Sequence, residues 1–217
     1  KYAKDLKILN SDKDKFIRIL AHDLKNPFNS LIGFSELLLN NIDNFDINTI
    51  KEYISIINDT SNKTYNLLEE ILLWLNAQYG KLVFEPSEIN LKELVSNIIL
   101  DLKLTAESKN ILLTSNIQNN IYGVADINML RTVFRNLISN AIKFTNYNGN
   151  ISVNSEINNN EIIITVSDNG IGISEDKIKT IFDSLHFISE IGTAGEKGTG
   201  LGLSICKEFI EKHGCRI

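Results

Sequence analysis

Two cysteines, two prolines, one tryptophan and one methionine in 217 residues remove several protein classes at once. Cys206 and Cys215 stand close together near the end, with no CxxC or Cys/His ligand spacing. That excludes a disulfide framework and a zinc site and fits reduced thiols in a cytoplasmic setting. Lysine and arginine number 22 against 27 aspartates and glutamates, a formal net charge of -5, so the chain has no basic footprint and nucleic acid is not an expected partner. No apolar run approaches the ~18 residues needed to cross a bilayer, and the opening KYAKDLKILN lacks the apolar core of a secretory signal. No membrane contact is expected within this stretch. The rest is ordinary: 43% hydrophobic and 23% charged residues exclude bulk disorder and argue for one large or two small domains.

What is present has two textures. From Ile17 to Leu38, apolar residues step in alternating threes and fours through Leu20, Leu24, Pro27, Leu31 and Phe34, a coiled-coil seam with one proline in it. After the polar stretch Asn40, Asn41, Ile42, Asp43, Asn44, the alternation restarts at Ile47, Ile50, Ile54 and Ile57. It passes through Ser61 and Thr64 and continues with Leu68, Ile71 and Leu75. Two helices on a short polar loop form an antiparallel hairpin with more apolar surface than it can bury alone, so a dimeric four-helix bundle is expected. Gly80 and Pro86 mark a boundary, with a β-like run from Lys81 to Glu85 between them.

Beyond it the pattern is mixed. Asn90 with Glu93 resembles a capping box, Ile111 to Ser115 reads as a strand, and Asp126 caps a helix to about Phe144. Ile151 to Glu156 and Glu161 to Ser167 read as a hairpin around Asn158, Asn159 and Asn160. The fold class is therefore α plus α/β: a long antiparallel helical hairpin followed by an α/β sandwich. The expected layout is a helical connector over 1–15, the hairpin over 16–80 and the sandwich over 81–217.

Chemistry concentrates at four places. His22 falls at the outermost heptad position, in a stripe with Arg18, Lys25, Asn26 and Asn29, so its imidazole is expected to face water, where a neutral ring is a competent nucleophile near pH 7. Asp23 beside it can hold the other ring nitrogen's proton, and Asn26, one turn on, can orient a water. Asn136, Asn140 and Lys143 share one helical face, presenting two amide oxygens and an ammonium group; an Asn with phosphate oxygens and waters suits magnesium. Asp168, at a strand end before Gly170 and Gly172, suits an exocyclic amine. Gly198, Thr199, Gly200, Leu201 and Gly202 open a helix whose amide hydrogens and dipole suit phosphate, although the run is neither a Walker A loop nor a Rossmann fingerprint. Each element alone reads as readily as a solvated helix face or a plain turn.

In this order, His22, Asn140, Asp168 and Gly198 resemble the H, N, G1 and G2 boxes of sensor histidine kinases of two-component signalling, and the resemblance spans nearly the whole chain. It implies a dimerisation and histidine-phosphotransfer hairpin followed by a GHKL-type ATP-binding domain. It further implies His22 as the phospho-acceptor, Asp23 as the assisting acid and Asn26 as the phosphatase-motif residue. Asn140 would be the Mg2+ ligand, with Asn136 and Lys143 beside the phosphates. Asp168 would take the adenine amine, helped by Gly170 and Gly172, while Lys197 and the 198–202 run would flank the triphosphate. Phe182 and Phe187 sit where the family's F box lies, and Ser184 to Lys197 would be the ATP lid; the boundary around Gly80 and the lid near Gly192 and Gly195 are candidate hinges. Related ATPases carry a Glu where this chain has Asn136, which favours kinase over hydrolase. The implied activity is ATP-dependent autophosphorylation and transfer to an aspartate of a response-regulator receiver domain, by a homodimer; a nucleotide-responsive scaffold and a phosphatase-dominant protein are the competing readings. Family members usually continue past a position like Gly214 with a further strand, so the ATP-binding domain is expected to be incomplete at its C-terminus. His186 and His213 have no carboxylate or Cys neighbours at ligand spacing; His186 reads as a polar lid residue and His213 as a C-terminal helix residue.

Overall fold

The computed structural model describes residues 21, 24–80, 82–159, 161–182, 190–196 and 198–217. The chain divides into two compact units, with the break after Asn76.

In the first unit, helix α1 covers 24–41 and continues through Pro27, and α2 runs Ile47–Gln78. The connection is closed by local chemistry. Asp46 Oδ1 accepts the backbone N–H groups of Asn48 and Thr49, both at 2.8 Å, which satisfies donors that the first turn of α2 cannot use internally. Phe34 of α1 and Phe45 of the turn each place a ring 5.4 Å from that of Tyr53 on α2, binding the two helices at their joined end. Thr64, Leu67 and Ile71 form the buried stripe of α2, and the Thr64 hydroxyl donates to the Thr60 carbonyl at 2.7 Å. Ser61, expected on the seam, is exposed. Phe28, Ile32, Ile47, Ile54, Leu68 and Leu72 are all more than two-fifths exposed, so the hairpin retains the unburied apolar surface that its sequence predicts.

The second unit is an α/β sandwich. A three-stranded sheet has the order β2–β4–β5, with β2 Leu112–Asn116 parallel to β4 Asn150–Asn158 and β4 antiparallel to β5 Glu161–Asp168. Helices α3 Leu91–Glu107 and α4 Ile127–Phe144 cover it, burying Leu94, Val95, Ile98, Ile138 and Ile142 against Ile151 and Val153. Both helix starts are fixed as their sequences predict: the Asn90 side chain accepts from Glu93 N, and the Asp126 side chain from Asn128 N and Met129 N. The β4–β5 hairpin closes on the Asn158–Glu161 pair, with Asn159 at φ 46°, a left-handed conformation that Asn tolerates. A short helix α5, Glu175–Ile178, follows, and α6 spans Gly202–Lys212, with Ile205, Cys206 and Phe209 fully buried.

One strand expectation is corrected. Residues 82–86 have no regular structure; the strand is β1, Ser87–Asn90, which pairs antiparallel with β3, Tyr122–Ala125. The 82–86 segment is held by contacts rather than by a ladder. Lys212 Nζ donates to the Leu82 carbonyl at 2.7 Å, Glu85 N donates to Asp126 Oδ2 at 3.0 Å, and the Phe84 ring meets that of His213 edge-on at 4.9 Å.

Candidate nucleotide site

Helix α4 is the frame of the site. Its buried stripe, Met129, Val133, Phe134, Ile138, Ala141 and Ile142, faces the core, which leaves Asn136, Asn140 and Lys143 half-buried on an adjoining face. Three separate segments are fastened along this helix, and they are the segments the motifs single out.

The 198–202 run lies against its middle and end. Asn136 Nδ2 donates to the Gly202 carbonyl at 3.4 Å, and a Cβ placed on Gly202 would stand 3.2 Å from Asn136 Oδ1. A Cβ on Gly198 would stand 2.7 Å from Lys143 Nζ, so the ammonium rests against a bare backbone. Gly200 has φ 77°, a conformation that favours glycine. Leu201 is not a surface residue of the site: its side chain is fully buried and anchors the run from below, while its N–H donates to Thr199 Oγ1 at 3.2 Å. Amide groups at the start of α6 and the Lys143 ammonium thus lie in one neighbourhood, a donor set suited to an oligophosphate.

The Asp168 loop lies against the C-terminal end of α4. Asp168 is exposed at the end of β5 and its Oδ1 accepts Gly170 N at 2.9 Å. Ile171 N donates to the Phe144 carbonyl at 3.1 Å. A Cβ on Gly170 would fall 2.3 Å from that same oxygen, so only glycine allows the loop to close here; Gly172 has φ 70°.

The third segment is the 192–196 turn. Gly192 N donates to the Glu196 carbonyl at 2.8 Å and Gly195 N to the Gly192 carbonyl at 3.0 Å, so the two glycines named as candidate hinges sit in a tight turn. Thr193 N donates to the Lys143 carbonyl at 3.0 Å.

Electrostatics sharpen the site. Burial holds the Lys143 ammonium below its ordinary range, and the charges of Glu196 and Glu190 offset part of that effect. Its Nζ lies 4.7 Å from the centre of the Phe144 ring. Burial works to raise the Glu196 carboxyl, but its own backbone amide, that of Ala194 and the Lys109 ammonium outweigh burial and keep it low. On the buried face of α6, burial pushes the Cys206 thiol up to about 12, which removes it as a nucleophile.

His22, Asp23, Lys197 and Phe187, together with residues 184–189 of the expected lid, lie outside the described residues. Asn26 is exposed on α1. The sequence reading missed Lys109, Thr193, Glu196 and His213. Lys109 is buried at the end of α3 and its ammonium reaches Thr193 and Glu196. His213 Nε2 accepts the Asp126 N–H at 3.0 Å. Neither contact has a local sequence signal. Among the described residues no cluster of His, Cys, Asp or Glu has the makings of a metal cage, and no helix is long and apolar enough to cross a membrane.

The two units match two protein families. Residues 12–78 match the His Kinase A (phospho-acceptor) domain, and residues 125–217 match the histidine kinase-, DNA gyrase B- and HSP90-like ATPase. The chain belongs to the sensor histidine kinases of two-component signalling, a family of protein-histidine kinases. An uncharacterised sensor-like histidine kinase of Rhizobium meliloti (strain 1021) is 31% identical over 209 residues, covering 94% of this chain and 39% of that protein. Sensor protein SrrB of Staphylococcus aureus (strain MRSA252) is 28% identical over 206 residues, 95% of this chain and 35% of SrrB. The chain thus spans less than two-fifths of the length of these curated relatives. Among solved structures, histidine kinase ThkA in complex with response regulator protein TrrA superposes with a TM-score of 0.69 at 27% identity, over 99% of this chain and 58% of ThkA. The histidine kinase AdeS of Acinetobacter baumannii shares the fold with a TM-score of 0.66 at 18% identity, over 88% of this chain and 86% of AdeS.

Proposed function

We propose that this chain uses ATP to phosphorylate its own His22 and passes the phosphoryl group to an aspartate of a response-regulator receiver domain. The observation that carries the reading is the convergence of the Asp168 loop, the 192–196 turn and the 198–202 run on the α4 face that bears Asn136, Asn140 and Lys143.

In the proposed reaction Asp168 accepts the adenine amine, and Gly170 and Gly172 let the loop approach the ring. Lys143, Asn136, Lys197 and the amides of 198–202 hold the phosphates. Asn140 would offer an amide oxygen to Mg2+; a single protein oxygen suits an ion that keeps waters and phosphate oxygens in its shell, and such an ion would neutralise charge on the phosphates. The unprotonated nitrogen of His22 attacks the γ-phosphorus in line, so an N–P bond forms as the P–O bond to ADP breaks. Asp23 holds the proton on the other ring nitrogen and steadies the cation. With Asn136 in place of an acid, no side chain there activates water, which leaves the phosphoryl group for the imidazole. The receiver carboxylate then takes the group from His22, and Asn26 supports the reverse, dephosphorylating activity.

The proposed layout is a connector over 1–15, a dimerising phosphotransfer domain over 16–80 and an ATP-binding domain over 81–217. Exposed apolar residues of the hairpin support a homodimer, the ThkA complex supports a receiver partner, and the proposed setting is cytoplasmic, as the cytoplasmic portion of a larger sensor. The test is incubation with γ-labelled ATP. Acid-labile label on the protein, lost in His22→Ala, is expected; label that survives that substitution overturns the assignment of His22.

A further inference from the structure

Lys109 is a lysine with a side chain only 4% exposed, placed just past α3. Its three N–H groups are shared among four acceptors: the Ile142 carbonyl at 2.8 Å, the Lys143 carbonyl at 3.2 Å, Thr193 Oγ1 at 2.6 Å and Glu196 Oε1 at 3.1 Å. The first two are carbonyls at the C-terminal end of α4, which have no partner within the helix and sit at the negative end of its dipole. The last two belong to the 192–196 turn. The Thr193 hydroxyl passes the connection on by donating to the Thr145 carbonyl at 2.7 Å. A buried cation therefore ties the turn to the helix that carries Lys143.

Glu196 stands between two lysines. One carboxylate oxygen meets Lys109, and the other accepts Ala194 N at 2.8 Å. A Cβ built on Gly192 would stand 2.4 Å from Glu196 Oε2 and 2.6 Å from Lys143 Cγ, so the carboxylate and the Lys143 stem flank the same point. A carboxylate so close to Lys143 competes with phosphate for its ammonium unless another cation engages it.

We propose that Lys109 is a positioning residue for nucleotide binding: by engaging Glu196 and fixing the 192–196 turn on α4, it keeps the Lys143 ammonium available to phosphate. The inference rests on the reading of Lys143 as a phosphate-binding group.

The test is calorimetric titration of the full chain with MgATP and with adenosine, using Lys109→Met, Glu196→Gln and the double variant, each checked for folding by circular dichroism. Lys109→Met keeps the side-chain volume and removes the charge. It is expected to weaken MgATP about tenfold, the scale of one charge-assisted contact, and to leave adenosine unchanged, because Asp168 is untouched. Adding Glu196→Gln removes the competing charge and should return MgATP affinity to within about threefold of wild type. A double variant as weak as Lys109→Met overturns the proposal, as does a loss for adenosine equal to that for MgATP. Where Lys109→Met does not fold, Glu196→Gln alone decides: affinity equal to or above wild type supports the competition, and a tenfold loss refutes it. Failure of the wild-type chain to bind MgATP would instead refute the proposed function.

Discussion

The backbone of Gly170 passes so close to Phe144 that a Cβ there would stand 2.3 Å from the Phe144 carbonyl oxygen. That oxygen already accepts the N–H of Ile171, so it cannot retreat without breaking the contact that joins the Asp168 loop to α4. Gly170→Ala is therefore expected to destabilise the ATP-binding unit by about 1–3 kcal/mol, the cost of forcing atoms into a filled site. It should also weaken adenosine binding. Urea unfolding and calorimetry check the two effects, and unchanged adenosine affinity in a folded variant would refute the link.

Two substitutions on α1 should separate forward from reverse chemistry. His22→Ala is expected to abolish phosphohistidine formation. Asn26→Ala should leave labelling within about twofold of wild type while slowing dephosphorylation of a phosphorylated receiver at least tenfold, the lower range for losing a group that positions a reactant. Timed assays of label gain and label loss measure both.

Asp126 supplies a pH dependence whose sign follows from its contacts. Burial would raise its carboxyl, but backbone N–H groups of Glu85, Met129 and Asn128 hold it below its ordinary value of 3.8. A carboxyl depressed in the fold stabilises the native state above the ordinary carboxylate range. That contribution is lost as pH falls through the native value. Stability measured in urea should therefore decline from about pH 5 downward, and less steeply in Asp126→Asn, which keeps one acceptor oxygen for the helix cap, gives up the Glu85 contact and carries no charge.

The thiols differ in reactivity. Cys206 is fully buried, with its thiol raised to about 12, whereas Cys215 is exposed. Ellman's reagent should titrate one thiol per native chain and a second only after denaturation. Two fast thiols in the native protein would contradict the packing of α6.

How much of this was legible beforehand depends on the range of the interactions involved. The caps at Asn90 and Asp126 were readable because an N-cap needs only its own side chain and donors two or three residues on. The hairpin of α1 and α2 was readable from sustained spacing, and β4 and β5 from alternation around an Asn-rich turn. Strands β1 and β3 were not, since four residues each give too short a pattern and their pairing joins Ser87 to Ala125. In the site, Asn136, Lys143, Asp168 and the glycines announced themselves by motif. The Lys109 contacts did not, because they join residues 84 and 87 positions apart and nothing adjacent to Lys109 distinguishes it from a solvated lysine at a helix end.

Three segments that follow α4 in the sequence take their bearings from it, and this makes its length less negotiable than its composition. Adding or deleting one residue between Asn136 and Lys143 rotates everything beyond it by about 100°. Such an indel would carry Lys143, and the carbonyl anchors at Phe144 and Thr145, away from Asn136 in a single step. Lineages and engineers alike are left to alter this helix by exchanging side chains, never by changing its register.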